Sequence, residues 1–237
     1  MYRKIHPLVG LAAFAAGTFA LSSASRAVVL LKYDFGTATE ANLNPSTTGA
    51  GVTSTAIGNA DGLEKRNSGI TYAGSSGPRV LGWQGLGNVS GSLSEALDEG
   101  QFFTFSLTPI AGQKMDLTNI TFFANTGATT GVARTFVLQV STDGADFATV
   151  GTSAMPFDTL TSAALFDIPL SSYSNITTQT TFRMAFHDAA NDGAAWGTGN
   201  WVRMDDITVN GVVSPVPEPS AALIGALGAV ALFRRKR

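Results

Sequence analysis

At 237 residues, 44% hydrophobic and only 14% charged, the chain has the length and apolar content for one domain with a real core, which excludes wholesale disorder. Charge is segregated: three of the 15 Lys and Arg fall in the first 26 residues and four are the last four. The remaining eight face 16 acids over residues 28–215, a net of −8 that argues against a nucleic-acid partner, whose phosphates need a basic face. The absence of cysteine excludes disulfides, thiolate nucleophiles and Cys-based zinc sites.

Residues 1–27 open with the basic segment "MYRKIHP", continue through the apolar run "LVGLAAFAAGTFAL" and end in the small-residue stretch "SSASRA". That order predicts a secretory signal peptide, with a signal helix too short to span a membrane permanently. Ser22 and Ser25 place small residues at the −3 positions for cleavage after Ala24 or Ala27.

Residues 28–213 are predicted to form one all-β domain, an antiparallel, jelly-roll-like β-sandwich. Strand-like runs fall near Val29 to Phe35, Val52 to Ile57, Gly69 to Ala73, Arg79 to Trp83, Phe102 to Leu107 and Leu117 to Ala124. They continue at Arg134 to Ser141, Phe147 to Gly151, Ala164 to Ile168, Thr180 to His187 and Val202 to Val209. Gly, Asn, Asp, Ser and Pro clusters separate them. Ser92 to Glu99 alone suggests a turn of helix.

In "TFRMAFHD" the period of two puts Phe182, Met184 and Phe186 on one face; in "RTFVLQVS" it does the same for Phe136, Leu138 and Val140. The segment "VLQVSTDGADFATVG" is similar to the strand-turn-strand hairpin of galactose-binding-like jelly rolls, with Asp143-Gly144 as its turn. In "WVRMDDITVNG" the phase breaks: Val202 and Met204 share one face, whereas Ile207 and Val209 need a bulge near Asp205-Asp206 to join them.

Catalysis finds little support. His6 lies in the signal segment, leaving His187 as the mature chain's lone imidazole, and no G-x-S-x-G or H-E-x-x-H motif occurs. A carboxylate pair for glycoside hydrolysis stands only as a lesser alternative, because sixteen acids offer many pairings and a sequence gives no separations.

Calcium fits better. Asp34, Asp188, Asn191, Asp192, Asp205 and Asp206 supply hard oxygen ligands, with Asp188, Asp192, Asp205 and Asp206 as the candidate set; loop-capping roles for these Asx residues stand beside that reading.

The stretch "AAWGTGNWVR" sets Trp196 and Trp201 five apart. On a loop they would form a stacking platform for sugar rings, with Arg203 or Asn200 supplying hydrogen bonds; the competing reading makes one Trp a plug of the sandwich end.

The tail, residues 214–237, joins Pro217-Glu218-Pro219 to an apolar run from Ala221 to Phe233 and to Arg234, Arg235, Lys236 and Arg237. Thirteen apolar residues reach about 20 Å as a helix, short of the ~30 Å hydrocarbon core, and the basic end would hold the tail on the cytoplasmic side. These three parts in this order resemble the PEP-CTERM sorting signal of Gram-negative bacteria. The resemblance implies a short transmembrane helix held transiently in the inner membrane and an exosortase-type peptidase that recognises Pro217, Glu218 and Pro219. It further implies release to the cell surface or an extracellular polysaccharide matrix.

The function expected from sequence is therefore a structural or adhesive matrix protein. The alternative is a carbohydrate-binding module, with or without calcium.

Overall fold

The structure, a computed structural model, describes residues 26–36, 42–68, 80–85, 90–127, 134–156, 163–188, 201–217 and 228. The described chain carries β1 (Val28–Tyr33), β2 (Thr47–Thr48), β3 (Val52–Ser54), β4 (Gly58–Asn59), β5 (Leu63–Ser68), β6 (Val80–Gly85), α1 (Leu93–Asp98) and β7 (Phe102–Pro109). After them come β8 (Gln113–Gly127), β9 (Arg134–Ser141), β10 (Ala148–Met155), β11 (Ala164–Pro169), β12 (Thr180–His187) and β13 (Trp201–Pro215).

Every pairing among them is antiparallel. Sheet I runs β11-β8-β13-β1-β2, with β6 also on β13 and β5 on β6; sheet II runs β10-β9-β12-β7-β3, with β4 also on β7. The protein is a jelly-roll-like antiparallel β-sandwich.

Alternation builds the interface between the sheets. Phe182, Met184 and Phe186 of β12 and Phe136, Leu138 and Val140 of β9 are all buried in one core, as their period of two requires. Aromatic pairs pin one sheet to the other: Trp83 of sheet I stacks on Phe103 of sheet II at 5.1 Å, and Phe122 meets Phe136 edge-on at the same separation.

The expected bulge in β13 is present. Its register against β8 slips between Asp205 and Thr208, and Asp206 takes a φ of +50°. The extra residue resets the phase, so Val202, Met204, Ile207 and Val209 all enter the core.

At the same point β13 changes neighbours. β6 pairs with Val202–Met204, and β1 pairs from Ile207 to Gly211. Asp205 and Asp206 thus sit where sheet I forks.

The expected helix is α1. Ser92 caps it by accepting from the Glu95 amide, and the Glu95 carboxylate accepts from the Gly91 amide. The strand expected at Gly69 to Ala73 lies outside the described residues, as do residues 1–25 and most of the tail. β13 carries the sandwich to Pro215, two residues past the expected boundary. Among the described residues no helix is long and apolar enough to cross a membrane.

Candidate functional site

With Val202 and Met204 directed into the core, the period of two turns Trp201, Arg203 and Asp205 to the outer face of sheet I. Arg203 is paired with Gly82 on one side and Asn125 on the other, and Trp201 with Gly127, so two of these three neighbours have no side chain to crowd them. The Arg203 guanidinium carbon lies 5.9 Å from the centre of the Trp201 ring.

Although it faces outward, Arg203 keeps only 8% of its surface in solvent, and Asn125, Asp205 and Gln84 are also buried. Arg203 Nε and Nη1 and Trp201 Nε1 are enclosed and have no hydrogen-bond partner. Among the described residues no carboxylate lies within ion-pair distance of Arg203. A buried donor without an acceptor costs about 1–3 kcal/mol, and three such donors on two neighbouring side chains are a demand for oxygen that the enclosed Asp205 Oδ2 on the same face does not meet.

The acidic candidates are placed differently. Asp205 is fully buried and accepts from the Asp206 amide, while Asp206 pairs with Lys32 at 3.0 Å. Asp188, just past β12, is buried against Arg134, with Nη1 and Oδ2 3.9 Å apart. Asp34 accepts from the Gly36 amide in a local turn. Among the described residues no group of three or more His, Asp or Glu is gathered closely enough to hold a metal ion. Trp196, Asp192, Asn191, Asn200, Glu218, Pro219, Arg234 and Arg235 lie outside the described residues, and Pro217 is exposed.

His187 ends β12 opposite Thr135 on the outer face of sheet II, half-buried, with Nδ1 enclosed and unpartnered. Burial pushes its pKa below 6.5, against the opposing pull of the Asp188 charge.

At the β9–β10 hairpin the expected turn is organised by one carboxylate. Asp143 Oδ1 accepts from the amides of Ala145 and Asp146 and from the Ser141 hydroxyl, while Ser141 Oγ accepts from the Gly144 amide. These bonds lower the Asp143 pKa to about 2. Gly144 sits at φ +80°, a conformation that favours glycine.

Two features escape a sequence reading. Arg183 on sheet II lies 3.8 Å above the Phe147 ring and donates from Nε to Gln139 Oε1 at 2.9 Å. The Arg134–Asp188 pair joins residues far apart in sequence. The β12–β9 register, which sets Phe186 and His187 beside Phe136 and Thr135, brings the two together, and no linear motif announces it.

No protein-family profile matches the chain, and no curated protein matches it in sequence. Solved structures share its outline at low identity. The CBM22-1 xylan-binding domain from Paenibacillus barcinonensis Xyn10C is 12% identical at a TM-score of 0.42, covering 80% of this chain and 98% of that one. TmCBM61 in complex with β-1,4-galactotriose is 10% identical at 0.34, covering 68% and 88%. The arabinose-bound MgGH51 α-L-arabinofuranosidase is 12% identical at 0.44; the match covers 77% of this chain and 27% of the enzyme's. At such values the likeness is one of outline and does not extend to the side chains of the site.

Proposed function

We propose that the protein is an exported β-sandwich that binds saccharide on the outer face of sheet I, around Trp201 and Arg203. One observation carries this reading: three enclosed donors without acceptors belong to Arg203 and Trp201, whose guanidinium carbon and indole centre are 5.9 Å apart. A sugar offers what that arrangement lacks, several hydroxyl oxygens to accept from N–H groups and an apolar C–H face for an aromatic ring.

The ends of the chain complete the proposal with an address. The signal-like residues 1–27 and the tail built on Pro217, Glu218 and Pro219 support export and exosortase-type sorting, which would place the binding face among extracellular polysaccharide. The role is adhesive, a matrix or surface protein that holds glycan.

Affinity electrophoresis of the mature chain through gels containing polysaccharides tests the reading. Retardation by at least one polysaccharide, reduced by both Trp201→Ala and Arg203→Ala, is expected. Mobility unchanged across neutral and acidic polysaccharides overturns it.

A further inference from the structure

Resting on that reading, we infer that the saccharide taken at the sheet I fork is acidic, a hexuronate whose carboxylate meets Arg203. Neutral hydroxyls would satisfy the N–H groups of Arg203 and Trp201, but they would leave the buried Arg203 charge without an ion-pair partner. Arg203 is more than nine-tenths buried, and proteins bury arginine with a carboxylate, phosphate or dense hydrogen bonding around it; among the described residues neither an ion pair nor a hydrogen bond to Nε or Nη1 is present. The register row through the residue reads Arg66, Gly82, Arg203 and Asn125 across β5, β6, β13 and β8, so no acid stands directly beside it in the sheet.

Asp205, two residues along the same face, accepts at Oδ1 from the Asp206 amide and keeps Oδ2 enclosed without a hydrogen bond, outside ion-pair distance of Arg203; Asp206 binds Lys32. Among the described residues no carboxylate forms an ion pair with Arg203, and that direct contact is left to the ligand. A carboxylated sugar supplies it together with the hydroxyls that suit the indole donor.

The domain around this cation is acidic, with a net of −8 over residues 28–215. Long-range repulsion thus opposes a polyanion, while the contact at Arg203 is short-ranged and enclosed. Salt screens the first over a Debye length of ~10 Å at 0.1 M and touches the second much less. Binding of a uronate should consequently strengthen when salt rises from ~10 to ~100 mM, the reverse of what an exposed basic patch gives.

The experiment is calorimetric titration of the mature chain with oligogalacturonide, with the same oligomer fully methyl-esterified, and with a sulfated oligosaccharide, at both salt levels. The inference expects the free acid to bind at least ten-fold more tightly than its ester, and the sulfated probe to bind less well than the carboxylate. Arg203→Met, which removes the buried charge at similar volume, should erase the acid-over-ester preference, with the folded state verified by near-ultraviolet circular dichroism.

If acid and ester bind equally through Trp201, the saccharide reading stands and the acidic ligand is refuted. Tighter binding of the sulfated probe would refute the carboxylate. Absence of binding to all three, together with no retardation in the polysaccharide gels, refutes both readings.

Discussion

Lys32 and Asp206 close the fork of sheet I: Lys32 Nζ lies 3.0 Å from Asp206 Oδ1, and Asp206 holds that contact from a φ of +50°. Two costs separate at this residue, because Asn and Gly tolerate the left-handed conformation whereas Ala does not. Asp206→Ala should lose about 2 kcal/mol in urea unfolding, from the ion pair and the backbone strain together. Asp206→Gly should lose roughly 1 kcal/mol less than Asp206→Ala, since it relieves the strain while still losing the ion pair. Equal losses would mean that the bulge conformation carries no strain.

The same bulge shows why part of this fold was legible. Val202 and Met204 fall out of phase with Ile207 and Val209, and a single inserted residue is the simplest repair. β9 and β12 match their expected bounds because apolar and polar residues alternate through both. β5, "LEKRNS", has one apolar residue followed by charged and polar ones, so it carries no period. It is a strand because β6 offers it an edge. For the candidate site, Trp201 and Arg203 stand out in "WVR" as residue types, but their burial and unmet hydrogen bonds depend on pairing with Gly82, Asn125 and Gly127 from distant strands.

The Asp143 turn should report acid in its own window. Its carboxylate has a pKa of about 2 against an ordinary 3.8, so the unfolded chain takes up the proton first. The stability it contributes is present above 3.8 and is lost as pH falls toward 2. A carbon-detected NMR titration should place its midpoint near 2, and Asp143→Asn should remove the pH dependence of unfolding in that interval. A midpoint near 3.8 would mean that the bonds to Ala145, Asp146 and Ser141 do not hold the charged form in solution.

His187 acts in a higher window. Its folded pKa is depressed by burial, so the unfolded state binds the proton more readily; stability is greatest above 6.5 and falls as the pH drops through the folded value. His187→Gln should flatten the stability profile between pH ~7 and ~5 while leaving the Asp143 transition unchanged. A His187 resonance titrating at or above 6.5 would contradict the burial seen at the end of β12.

Arg134 and Asp188 tie the start of β9 to the chain leaving β12, both side chains almost fully enclosed. Removing one partner from such a pair leaves the other charge in a medium that cannot solvate it, which typically costs 3–5 kcal/mol. Asp188→Ala is therefore expected to lose about that much stability. The double variant Arg134→Met with Asp188→Leu leaves no charge behind, and it should be more stable than Asp188→Ala alone despite carrying more changes. In a double-mutant cycle the two substitutions then couple strongly, each offsetting part of the damage done by the other. Simple additivity would show that the two side chains contribute independently, and that the 3.9 Å contact between Nη1 and Oδ2 adds nothing of its own.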